Sequence, residues 1–385
     1  MSTPATAGSS PESVRRVYLD SASGESLHPA AKQAFQAALD AAYADPRRIH
    51  HAGRAARLVL DNARAATAEA LGVRADEVTF TGSGTEAVHR GLLGLHRAAR
   101  AQRDVILHSA VEHSAVLLAA AWSGAATQPV AVEPTGRIRL DDLDDLHVTD
   151  AAVVACQSAN HEVGTVQPVA EVAEVAERAG GVPVFVDACA SAGRLPLPEG
   201  WTALAASAHK WGGPPGVGIL VVRRGARWRD PFPEDERAGE HGIGFENVPA
   251  ILAAAAALQA VVTERETENA RAHALIEWIR RVVSGLPDVE VVGDAVDRLP
   301  HLVTFSCLYV DGEALVTELD RLGFEVASGS ACTTSTLEPS HVLAAMGALT
   351  HGNVRVSVDR NTTEDDVGRF LTVLPDAIER LRARL

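Results

Sequence analysis

Short β-rich runs alternate with Ala-rich stretches through most of this chain, and that alternation limits the fold more than any other feature. The runs are Val17-Tyr18-Leu19, Val78-Thr79-Phe80, Val105-Ile106-Leu107, Ala152-Val153-Val154-Ala155, Val184-Phe185-Val186 and Gly218-Ile219-Leu220-Val221-Val222. Between them lie stretches of helical length and composition: Ala56–Leu71, Glu86–Ala98 and Val169–Ala179. This order predicts an α/β fold, a mostly parallel sheet with helices on both faces. From Val248 to Leu286 the chain reads as one long helix. Strands follow at Val289–Val292 and Leu302–Cys307, then a helix at Glu313–Leu322 and a last helix from Thr363 onward. A chain of 385 residues exceeds one ordinary core. We expect a disordered tail over 1–14, a large domain over 15–258 and a smaller α/β C-terminal domain over 259–385, divided within the long helix.

Composition narrows the partners. A net charge of −15 disfavours nucleic acid or an anionic membrane as a bulk electrostatic partner. No apolar run approaches the ~20 residues that span a bilayer, and the first residues lack a basic-then-apolar signal pattern. A cytoplasmic protein is expected. Cys156, Cys189, Cys307 and Cys332 are widely spaced, without a C-x-x-C pair, so neither a metal site nor a disulfide framework is predicted.

Only two of the 35 basic side chains are lysines, Lys32 and Lys210. Lys32 sits in an Ala-rich amphipathic stretch and reads as a solvated helix position. Lys210 stands in Ser207-Ala208-His209-Lys210-Trp211-Gly212-Gly213-Pro214, between an apolar small-residue run and a Gly/Pro loop. Arginine has replaced lysine nearly everywhere else, yet a guanidinium cannot form a Schiff base and an amine can. Pyridoxal phosphate (PLP) enzymes require such an amine.

Catalytic groups of open α/β sheets gather at the carboxyl ends of strands. After Val78-Thr79-Phe80 comes Thr81-Gly82-Ser83-Gly84-Thr85-Glu86, a helix start suited to a phosphate. Asp187 follows Val184-Phe185-Val186, where a carboxylate needs a cationic partner such as a pyridinium. Glu112-His113-Ser114 follows Val105-Ile106-Leu107 and supplies an imidazole that can stack on a ring or move protons. Ala327 to Ser335 is a small polar run around Cys332, the setting of a reactive rather than a packed thiol. Arg355, in the alternating run Asn353–Ser357, is suited to a carboxylate clamp, or to capping helix carbonyls.

Taken together, the chain from about Val17 onward resembles the cysteine desulfurases, which are class V enzymes of the fold-type I PLP-dependent transferases. The likeness rests on Tyr18-Leu19-Asp20-Ser21-Ala22, Asp45-Pro46 with His50 and Gly53, Thr85-Glu86, Glu112-His113, Asn160-His161-Glu162-Val163-Gly164-Thr165-Val166-Gln167, Val186-Asp187-Ala188, Ser207 to Lys210, Glu246-Asn247-Val248-Pro249 and Val354-Arg355. The loop Ser328 to Cys332 followed by Leu337-Glu338-Pro339-Ser340 is the most specific piece and is similar to the long-loop group. The resemblance implies a large domain with a mostly parallel seven-stranded sheet, PLP as cofactor and L-cysteine as substrate. It also implies a homodimer and a sulfur-acceptor protein. By this resemblance Lys210 carries PLP; Gly84, Thr85, Ser207 and His209 bind its phosphate; Asp187 pairs with the pyridine nitrogen; and His113 stacks on the ring. Asn160 and His161 contact cofactor, Asn160 and Arg355 contact substrate, and Cys332 takes the sulfur as a persulfide, leaving alanine. Three positions depart from the pattern. His161 stands for a usual Asn, Ala190 for a usual Gln, and Phe245 for the Thr that reaches a neighbouring subunit's phosphate, marking a divergent member. The alternatives are a C–S lyase or aminotransferase of class V with Cys332 as a passenger, a selenocysteine lyase, and a PLP-free partner protein.

Overall fold

A computed structural model describes residues 15–99, 101, 103–146, 148–233, 244–328 and 339–384. Its strands are β1 (Val17–Tyr18), β2 (Val78–Thr81), β3 (Val105–Ser109), β4 (Ala126–Val130), β5 (Ala151–Ala155), β6 (Val184–Asp187), β7 (Ala203–Ser207), β8 (Gly218–Val222), β9 (Val289–Val292), β10 (Leu302–Cys307), β11 (Phe324–Glu325) and β12 (Asn353–Ser357). Seven of these form one sheet in the order β2-β8-β7-β6-β5-β3-β4. The pairs from β7 through β4 are parallel, whereas β8 runs antiparallel to both its neighbours. Six strands therefore point their carboxyl ends to one edge, and crossover helices cover the faces.

Two of these strands escape the sequence patterns. Ala203-Leu204-Ala205-Ala206-Ser207 has weak strand propensity, yet all five residues are buried between β6 and β8. Packing decides there, because strand preference is mostly a matter of fit to the surface on either side. The helix Gly84–Ala99 lies so close to the sheet that a Cβ on Gly91 would meet Phe185 Cε2 at 2.4 Å. β4 carries Pro129 and is largely exposed, as suits a strand at a sheet edge.

The 36-residue helix Val248–Val283 links two cores. Pro249 stands in its first turn, and Asn247 caps it by accepting from the Ala250 N–H at 3.2 Å. Its Ala-rich first half, including Ala253, Ala254, Ala257 and Leu258, packs with the core under the large sheet. By length and hydropathy this helix would suffice to cross a membrane, but that half is core packing. Its second half, with Ile276, Ile279 and Val283, joins Phe305, Leu315, Phe324 and Phe370 in a second core. That core covers the antiparallel sheet β12-β10-β9.

The chain start packs with the second core. Val17 and Leu19 belong to the second core, and β1 pairs in parallel with β11, Val17 opposite Phe324. Residues near 15–19 therefore side with the C-terminal layer rather than with the large domain. Sequence order could not show this, since the pairing joins segments some 300 residues apart.

Candidate active site

The carboxyl ends of β2, β3, β5, β6 and β7 surround a cavity of about 220 Å³. Each strand delivers one wall: Gly84 and Thr85 after β2, His113 after β3, Gln157 and His161 after β5, Asp187 at the end of β6 with Cys189 and Ala190 beyond it, and Ser207 at the end of β7 with His209 and Lys210 beyond it. Gathering at the carboxyl edge is the general behaviour of such sheets.

Gly84 opens its helix against this cavity, with Ser83 Oγ accepting from the Glu86 N–H at 3.0 Å. The amide-rich helix end and the hydroxyls of Thr85 and Ser207 suit a phosphate. A Cβ at position 84 would lie 2.6 Å from Ser207 Cβ and 3.0 Å from Cys189 Sγ, so the cradle is built to the absence of a side chain. Ser207 Oγ and His209 Nδ1 are 3.0 Å apart. Burial, with Lys210 beside it, lowers the His209 imidazole to about 4, so it is neutral.

At another wall, Asp187 ends β6. Its Oδ1 accepts from the Cys189 N–H at 2.9 Å, which fixes the carboxylate at the cavity wall. The Cys189 thiol is held well above its ordinary range by burial and by Asp187, and so stays protonated. His113 caps the helix Ser114–Trp122: its Nδ1 accepts from the Ala115 N–H at 3.1 Å, so the hydrogen bond assigns the ring proton to Nε2. Burial lowers its proton affinity more than Asp187 raises it. The His161 ring meets it edge to face, with centroids 4.8 Å apart and planes at 75°. Lys210 Nζ donates to the carbonyl of Ala22.

Three expected residues stand differently. Asn160 is wholly buried and is not part of the cavity wall. Its Nδ2 donates to the Val111 carbonyl at 3.0 Å, and its Oδ1 accepts from the Glu162 and Val163 N–H groups, both at 2.8 Å. It builds the turn that presents His161, since both bonds to Oδ1 come from backbone N–H groups of that turn. Arg355, on β12, reaches the site from the second core and lies behind that wall. Nη1 donates to the His161 carbonyl at 3.0 Å; Nη2 donates to Asp20 Oδ1 at 2.9 Å and to Ser23 Oγ at 2.6 Å. Nε is buried and without a partner among the described residues. Cys332 lies outside the described residues. Close to the two ends of that segment, Ala327 exchanges backbone hydrogen bonds with Arg355, and Ser340 Oγ donates to Glu162 Oε2 at 2.6 Å.

Sequence reasoning missed Gln157, Cys189, Asp20 and His301 as site residues. Gln157 and Cys189 follow strand ends and were within reach of the carboxyl-edge rule. Asp20 belongs to a motif of the resemblance but carried no role there, and no local pattern marks His301, which arrives from the other core. Phe245 lies away from this cavity, 57% exposed, with the Arg47 guanidinium 5.9 Å from its ring centre. No group of three potential metal ligands occurs among the described residues.

The cradle at Gly84, the Asp187 carboxylate and the amine of Lys210 fit a flat phosphorylated pyridine, and the comparisons agree. The aminotransferase class-V family model matches residues 17–370, and the chain belongs to that PLP-dependent family. Within it, the chain's place is among the cysteine desulfurases. It is 34% identical over 378 residues to cysteine desulfurase IscS of Dictyoglomus turgidum, covering 96% of each chain. It is 35% identical over 382 residues to an IscS-like cysteine desulfurase of Mycobacterium tuberculosis, covering 95% of this chain and 97% of that protein. A solved structure of a NifS-like protein superposes with a TM-score of 0.88 at 27% identity, over 95% of this chain and all of that one.

Proposed function

We infer that this protein is a PLP-dependent cysteine desulfurase, converting L-cysteine to L-alanine and passing the sulfur to an acceptor. The observation that carries this reading is the convergence of Lys210, Asp187, His113 and the Gly84–Thr85 helix start on one cavity. When bound, PLP supplies an electron sink for the amino acid joined to it. Gly84, Thr85, Ser207 and His209 hold the phosphate. Asp187 Oδ2 keeps the pyridine nitrogen protonated. His113 covers the ring and presents Nε2–H, since moving the proton to Nδ1 would break its helix cap. Lys210 holds the cofactor and moves protons at its amine.

Arg355 is the substrate-carboxylate anchor in this reading, with Asp20 and Ser23 fixing the guanidinium plane. The Cys332 thiolate attacks the substrate sulfur, forming an S–S bond as the C–S bond breaks. The electrons of that bond go to carbon, which takes a proton to give alanine. The anchoring of Ala327 at Arg355 and of Ser340 at Glu162 supports delivery of Cys332 to this place. A homodimer is part of the proposal, supported by the exposure of Leu39, Tyr43, Ile49 and Leu58 along the first two helices and the link between them. A cytoplasmic location and a dedicated protein acceptor complete it.

The test is chemical. Lys210→Ala should lose the visible absorbance band of the PLP-loaded protein. Cys332→Ala should keep the band but lose sulfide release, and the parent's Cys332 peptide should gain one sulfur on incubation with cysteine. A Cys332→Ala protein that still turns cysteine over would make this a class V lyase instead.

A further inference from the structure

A second cavity, of about 10 Å³, adjoins the Lys210 end of the main one, and the two share His161, Ala190 and Lys210. His301 closes the small cavity from the other core, just ahead of β10. It is 3% exposed, and its Nδ1 has no partner among the described residues; nor has Nδ1 of His161. Both rings are held neutral, first by burial. Arg194, Arg355 and Lys210 then add to the effect at His301; His113, Lys210, Arg355 and His341 add to it at His161. A neutral imidazole offers one donor and one acceptor, and a buried ring nitrogen left unmatched is costly. A polar space of this size takes one water. The short side chain of Ala190 leaves that space open.

We propose that His301 is a positioning residue of this site: with His161 it holds one buried water against the Lys210 amine. Lys210 Nζ already donates to the Ala22 carbonyl at the same cavity. With the cofactor joined, the protonated lysine nitrogen would carry a single N–H; the water would accept it in place of the Ala22 carbonyl and donate to an imidazole nitrogen, which favours the protonated form. Proton transfer at Lys210 is thereby set by a residue of the second core. The proposal rests on the reading of Lys210 as the cofactor lysine.

The experiment titrates the visible band of the PLP-loaded dimer or monomer against pH. His301→Leu removes one partner of the water, and Ala190→Val fills its space while leaving both imidazoles in the chain. Each should lower the band's midpoint by about one pH unit, the scale of one lost hydrogen bond to a charged group. The double variant should shift no further than the larger single, because both remove the same water. His301→Gln, whose amide can hold the water, should return towards the parent. An unmoved midpoint in PLP-loaded Ala190→Val, or additive shifts, overturns the proposal; if His301→Leu does not fold, Ala190→Val and His301→Gln decide. Lys210→Ala separates the two readings. A band that survives it refutes the assignment of the lysine, whereas a band lost there but unmoved in Ala190→Val refutes only the water.

Discussion

Gly84→Ala is a one-carbon change whose consequences can be followed through the site. The added Cβ would stand 2.6 Å from Ser207 Cβ, 2.8 Å from Ser207 Oγ and 3.0 Å from Cys189 Sγ. Carbon atoms in contact normally lie about 3.5–4.0 Å apart, so Ser207 must retreat by roughly an ångström. Its hydroxyl can rotate away, but its Cβ moves only with the end of β7. That end leads directly into Ala208–Lys210, so the displacement reaches the amine as well as the phosphate cradle. Overpacking of this kind costs ~1–3 kcal/mol, offset by up to ~1 kcal/mol from better helix propensity at the new alanine. The clash falls within the cavity wall, so most of it should appear as lost cofactor affinity. PLP binding by the apoprotein should weaken roughly ten- to a hundredfold, at about 1.4 kcal/mol per decade. The assay is an absorbance titration of apoprotein with PLP, run beside a thermal melt. Gly285→Ala serves as control, because its Cβ would meet nothing closer than 3.4 Å. A Gly84→Ala protein that binds PLP as the parent does, with an unchanged Tm, would refute the tight cradle.

Two further outcomes follow from the geometry. Arg355→Lys cannot hold Asp20, Ser23 and the His161 carbonyl at once and removes the planar Nε–H; KM for cysteine should rise roughly tenfold or more, while PLP binding stays within about twofold. Equal KM values in steady-state alanine assays would count against the carboxylate anchor. Burial, reinforced by Asp187, pushes Glu112 from 4.5 up to about 8, so it is protonated in the folded protein where the unfolded chain is ionised. Its contribution to stability is full below its unfolded pKa and is lost as pH rises through about 8. Glu112→Gln, neutral at every pH, should therefore gain stability relative to the parent between about pH 5 and 8, by at most ~1.4 kcal/mol per pH unit. Denaturant melts at the two ends of that range check it, and a constant difference would show that Glu112 is ionised in the fold.

Much of the molecule was legible along the chain because its signals are local. β-Branched runs marked β2, β3, β5, β6 and β8. Chemistry at strand ends marked Gly84, His113, Asp187 and Lys210, since a parallel sheet places those ends at one edge whatever the packing details. The class V resemblance supplied the seven-stranded sheet that composition alone did not, for β4 and the alanine-built β7 carry no strong strand pattern. Cys332 was marked by its small polar neighbours, and its place relative to the cavity lies outside the described residues.

The amino-acid order thus determined the sheet and the edge at which Lys210 stands, because periodicity and strand–helix alternation depend on near neighbours. Tertiary structure decided the rest. It gave Asn160 to a turn, put Asp20 and Ser23 on Arg355, moved Val17 and Leu19 into the second core, and brought His301 to Lys210. Each of these joins segments remote in sequence, where the cost of leaving a buried polar or apolar group unmatched selects the partner and no local pattern records the choice.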